Sequence, residues 1–137
     1  MSVTMRDRAK VMYDNAINNL DKAQRNLTTD DAFFDVACFN AQQAVEFMIK
    51  AVLLEYAIPF ESSGNQGHDI LYLSDLVLDS TPFRFEKQAD LTKLASTITE
   101  WETRGRYFSG IRTKEQTVRR VLNIYKDMEQ SFSKIKK

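Results

Sequence analysis

The sequence predicts an all-α fold, an antiparallel up-and-down bundle of four to five helices, and three observations carry that expectation. Glycine and proline are scarce, 4 and 2 in 137 residues, whereas Ala, Leu, Lys, Glu and Gln are plentiful, a composition of helices joined by short connections. Apolar residues recur at spacings of three and four along most of the chain, the period of an amphipathic helix. The length is that of one ordinary domain, residues 1–137, able to bury a single core without disulfide or metal.

Each element follows from that period. Tyr13, Ala16, Ile17, Leu20, Ala23 and Leu27 mark a first helix over about residues 5–27. Thr29, Asp30 or Asp31 can cap the second, whose register Ala37, Ala41, Ala44, Met48, Ala51 continues to about Ala57, just before Pro59. Its four alanines on one seam permit close approach of a neighbouring helix. "IPFESSGNQGHD" combines Pro59, Gly64 and Gly67 with small polar residues and reads as a loop of about ten residues, longer than a bundle connection needs. His68 or Asp69 starts a short third helix with Ile70, Leu73 and Val77, which "DSTPF" ends. A fourth carries Leu91, Leu94, Ala95, Ile98 and Trp101. After "RGRYFSG", Thr113 opens "TKEQ", a capping-box pattern, and Val118, Val121, Leu122, Tyr125, Met128, Phe132 and Ile135 mark a long last helix.

Charge and composition narrow the function classes. The chain is formally neutral, yet from Arg104 to Lys137 ten Lys or Arg stand against three acids, so this end is basic and the remainder acidic. Either the surplus serves helix-surface solubility and pairs with the acidic part, or it forms an anion or nucleic-acid surface. Cys38, the sole cysteine, lies on an apolar stretch and reads as a small buried side chain in a reducing compartment. "MSVTMRDRAK" lacks the apolar centre of a signal peptide and no run approaches a membrane span, so a cytoplasmic protein without membrane contact is expected. One His and one Cys cannot furnish a zinc site, and there is neither a Gly-rich phosphate loop nor a nucleophile elbow. No cofactor is expected and catalysis has little support.

Three features remain that can carry chemistry. In "NAQQAVEFMIKAVLLE", Gln43, Glu46 and Lys50 fall within an arc of about 60° beside the alanine seam. They form either a solvated stripe steadied by the Glu46–Lys50 pair or a polar seam at a subunit contact or pocket wall. In "ETRGRYFSG", Arg104 and Arg106 flank Gly105 ahead of Tyr107 and Phe108. Planar guanidinium groups suit phosphate and an aromatic ring can stack a base, but the same residues also suit a helix C-terminus at the end of a bundle. His68, the only histidine, is either a general acid or base or a capping or pocket-lining residue.

Taken in order, "FNAQQAVEFMIKAVLLEYAIPF", "GHDILYLSDLV" and, about thirty residues later, "ETRGRYF" resemble the HEPN domain (higher eukaryotes and prokaryotes nucleotide-binding) over roughly residues 8–130. The resemblance implies a bundle of four or five helices, commonly dimeric, and makes Gln43, Glu46 and Lys50 a specified contact, here assigned to the dimer interface. Some members are ribonuclease toxins with an Arg followed four to six residues later by His. This sequence departs from them, since Arg104, Arg106, Arg119 and Arg120 have no histidine downstream and Tyr125 stands where one would follow Arg120. Others bind nucleotide or polynucleotide beside a minimal nucleotidyltransferase. By matching motif the expected binding residues are His68, Arg104, Arg106 and Tyr107, with Lys50 as a second phosphate contact and no catalytic residue. The expectation is a non-catalytic binding module, homodimeric, partnering a nucleotidyltransferase. The alternatives are a divergent ribonuclease of a toxin–antitoxin pair, with His68 supplying acid–base chemistry, and a ligand-free protein-interaction domain.

Overall fold

The computed structural model describes residues 5–27, 34–61, 67–106 and 115–135. Five long helices account for most of them: α1 (Met5–Leu27), α2 (Phe34–Glu55), α3 (Ile70–Ser80), α4 (Gln88–Arg106) and α5 (Glu115–Ile135), with no strand among the described residues. The all-α bundle expected from composition and period is the observed fold.

Helix α2 is the centre and packs against each of the other four, most extensively against α1. The reason lies in residue size. Ala9, Ala16 and Ala23 recur every seven residues on α1, Ala37, Ala44 and Ala51 do so on α2, and all six are buried. Without bulk on either side, two helix axes can approach to the short end of the usual range, about 8 Å. Arg6 near the start of α1 meets Glu55 at the end of α2 at 3.8 Å, as an antiparallel hairpin requires.

The end of α2 falls slightly earlier than the sequence suggests. Ala57 adopts φ 57°, a left-handed conformation that favours glycine. There Ile58 N donates to Leu53 O at 2.8 Å and Ala57 N to Leu54 O at 3.0 Å, closing off carbonyls that the helix leaves unpaired. Pro59 then prevents any continuation.

Asp69 caps α3, its Oδ1 accepting from Leu71 N at 3.0 Å and Tyr72 N at 3.2 Å. The opposite end closes on Thr81, whose hydroxyl donates to Val77 O at 2.9 Å, and on Arg84, whose guanidinium donates to the carbonyls of Leu78, Thr81 and Phe83. Those bonds aim Phe83 and Phe85 inward, where both are buried. Asp127 of α5 accepts from Lys87 N at 2.8 Å at the start of α4, and Arg120 reaches Asp90 at 3.2 Å. The crossed numbering shows that α4 and α5 run antiparallel. Val118, Val121, Leu122, Ile124, Tyr125, Met128 and Phe132 of α5 face the core, and Phe132 tilts against Tyr13 of α1 with ring centres 5.5 Å apart. Thr113 and the capping box it opens lie outside the described residues.

Candidate functional site

The polar residues of α2 lie inside the chain. Glu46 is 2 % exposed, Lys50 4 % and Gln42 0 %. A buried charge is costly unless paired, and here Glu46 and Lys50 are paired, whereas Asn40 Nδ2 on the same helix is buried without a hydrogen-bond partner among the described residues. Lys50 Nζ donates to Glu46 Oε2 at 2.8 Å, while Gln42 Nε2 donates to Glu46 Oε1 at 2.7 Å. Gln43 Nε2 donates in turn to Gln42 Oε1 at 2.6 Å. The Lys50 ammonium also lies 5.9 Å from the centre of the Phe60 ring, within reach of a cation–π contact.

The fifth member comes from across the loop. His68 Nδ1 stands 2.9 Å from Glu46 Oε1, and its side chain is 33 % exposed. Glu46 thus accepts from Gln42 and Lys50, and His68 Nδ1 stands within hydrogen-bond distance of the oxygen that Gln42 also reaches, while Nε2 has no partner among the described residues.

Three further bonds place His68. Asp69, its neighbour, fixes the first turn of α3 by its cap, and Leu73 N closes on Asp69 O at 3.0 Å. Ile70 N donates to Thr99 Oγ1 at 3.0 Å, tying this end of α3 to α4. The amides of Ile70, Leu71 and Tyr72 are consequently all occupied, so the N-terminus of α3 has none of these to offer a phosphate. Thr99 also marks the approach to the arginines. Arg106 ends α4 seven residues later, about 10.5 Å along the axis. The side chains of Arg104 and Arg106, and all of Tyr107, lie outside the described residues.

Two sequence expectations concern these buried side chains. Glu46 and Lys50, expected at a dimer interface, are already covered by their own chain, and Gln43, half-buried, is the one of the three that reaches the surface. Lys50, expected as a phosphate contact, is engaged by Glu46 under Phe60. The residue the sequence reading missed is Gln42. Its signal was the i, i+4, i+8 ladder of Gln42, Glu46 and Lys50, a tighter chain of neighbours than Gln43 makes with the same two residues. Thr99, which tethers the His68 end of α3, gave no signal.

The basic end of the chain is partly matched. Arg119 pairs with Glu115 at 2.9 Å and Arg120 with Asp90, both exposed contacts worth little stability. Tyr125, at the position where a ribonuclease histidine would follow Arg120, is fully buried and donates its hydroxyl to Glu129 at 3.0 Å. Burial raises its pKa, with Glu129 adding to the effect. It is a core residue. Among the described residues no group of three or more His, Cys, Asp or Glu could hold a metal ion, and no helix is long and apolar enough to cross a membrane.

The family model for the HEPN domain matches residues 9–134, nearly the whole chain. No curated protein and no solved structure shows significant similarity to it.

Proposed function

The chain belongs to the HEPN domain family, and on that premise we propose that it is a nucleotide- or polynucleotide-binding module, homodimeric, that serves a minimal nucleotidyltransferase and has no reaction of its own. The observation that carries this reading is the setting of His68. Its ring is held from behind by a buried carboxylate at 2.9 Å and is one-third open in front. Such a side chain is preorganised for one directed hydrogen bond to a ligand. Arg104 and Arg106 clamp phosphate and Tyr107 stacks a base, while Lys50 keeps Glu46 in place and leaves phosphate to the arginines.

Isothermal titration with ATP, GTP and a short single-stranded RNA at low salt tests the reading. Binding weakened at least tenfold by Arg106→Ala is the expected result. Absence of heat with all three ligands overturns it. Light scattering at twice the monomer mass and co-purification with a nucleotidyltransferase expressed beside it test the other two parts.

One observation favours a second reading. A carboxylate behind an imidazole is also the arrangement that orients a general base, so His68 could act on an RNA 2′-hydroxyl. Fragments released from labelled single-stranded RNA by the protein, and not by His68→Ala, would replace the binding module with a ribonuclease.

A further inference from the structure

We propose that the core binds one structural water molecule between α3 and α4, which accepts a hydrogen bond from the Ser74 hydroxyl and donates one to Gln88 Oε1. The site shares no residue with the nucleotide-binding reading and stands independently of it.

Two polar side chains meet in this apolar part of the bundle. Gln88, the first residue of α4, donates from Nε2 to Ser74 Oγ at 2.9 Å, and Ser74 is 1 % exposed. Gln88 Oε1 is buried and has no partner among the described residues. An amide oxygen taken out of water and given no donor is costly. Exchanging the two ends of the amide does not remove the defect. Ser74 would then donate to the oxygen, and the nitrogen would lack an acceptor instead.

The space beside these atoms has the size of the missing donor. Ser74 and Gln88 line a cavity together with Val52 of α2, Val77 of α3, Phe83, Phe85 and Met128 of α5, and the centre of a water-sized sphere can move there over about 10 Å³. That is room for one water and for nothing larger. The apolar side chains around it offer no donor, so the hydrogen for Oε1 comes from solvent. Ser74 supplies the second contact that a buried water needs. A hydroxyl donates once and accepts twice, and toward Gln88 Ser74 uses only an acceptor. Its own hydrogen goes to the water, and the water passes one to Oε1. The circuit from Gln88 Nε2 through Ser74 and the water back to Gln88 Oε1 runs in one sense, so each bond polarises the next. With the bond from Ile70 N to Thr99, it gives α3 a second polar fastening to α4.

The test joins a crystal structure of the wild-type protein with oxygen-17 relaxation dispersion of water in solutions of wild type and Gln88→Met. Methionine has nearly the volume of glutamine and carries no carbonyl, so the variant keeps the packing and loses the acceptor. Circular dichroism confirms that it is folded. We expect a density peak within about 3.2 Å of both Ser74 Oγ and Gln88 Oε1. The dispersion amplitude should fall in Gln88→Met by the contribution of one long-lived water. Equal amplitudes in the two folded proteins overturn the proposal. So does a crystal structure with no peak at that position, or one in which Oε1 accepts directly from a protein donor. If Gln88→Met does not fold, the wild-type density alone decides.

Discussion

Two faces of α2 solve opposite problems. The face toward α1 is built from Ala37, Ala44 and Ala51, each 0 % exposed, and has nothing to satisfy except the need for closeness. The face toward His68 carries Gln42, Glu46 and Lys50, scarcely more exposed, and must satisfy every donor and charge it buries. The alanine face gains from what is missing, since small residues let two backbones meet. The polar face gains little net stability from its ion pair, because desolvation offsets most of the attraction. It gains direction instead, holding one imidazole in one orientation. On this helix packing and specificity are handled by different residues less than one turn apart.

The sharpest way to break that contrast is Glu46→Ala. It strands the Lys50 ammonium in the interior and removes the acceptor of Gln42 and His68, at a cost of about 3–5 kcal/mol in chemical denaturation. If the network exists for direction, Glu46→Met with Lys50→Met should recover most of that stability and yet lose the ordered His68 signal in an NMR spectrum. A double variant as unstable as the single one would show that the pair itself stabilises the fold.

Ala44→Leu probes the other face. Inserting bulk where the helices touch should cost about 1–3 kcal/mol by the same measurement, with no change at His68. Loss of the His68 signal as well would mean that the two faces are coupled through the helix.

Cys38, on the apolar side of α2, gives a smaller and pH-dependent effect. Burial, with Asp35 adding, pushes its thiol up to about 12. The unfolded chain therefore loses this proton at lower pH than the native one. Its contribution to stability is intact below the ordinary thiol range and is lost as pH rises from about 9 toward 12, with a slope of about 1.4 kcal/mol per pH unit. Cys38→Ala should flatten that part of the stability profile. A thiol reagent at pH 8 should label the native protein only on unfolding, and rapid labelling without denaturant would contradict the burial.

The smallest expected effect lies where α2 ends. Ala57→Gly relieves a left-handed alanine and should stabilise the protein by about 0.5–1 kcal/mol, read as a rise in melting temperature. An unchanged or lower value would place the strain elsewhere.

Much of the fold was legible in the sequence. The three-and-four spacing of Ala16, Ala23, Leu27, Val118, Val121 and Leu122 determines which positions of α1 and α5 are buried, because a helix has one fixed period and apolar surface must leave water. Pro59 and "DSTPF" bounded α2 and α3 by removing or diverting the backbone donors a helix needs. The stop at Glu55 instead of Ala57 was not legible, since it depends on a left-handed alanine that no pattern announces. What only the tertiary structure decided is the fate of the polar residues on α2. A helical wheel assigns Gln42, Gln43, Glu46 and Lys50 their angles, but the contacts that His68 makes with Glu46 and Phe60 with Lys50 come from beyond the helix. Local geometry determines which side chains share a face. Burial and the direction of each hydrogen bond depend on what the rest of the chain lays over that face.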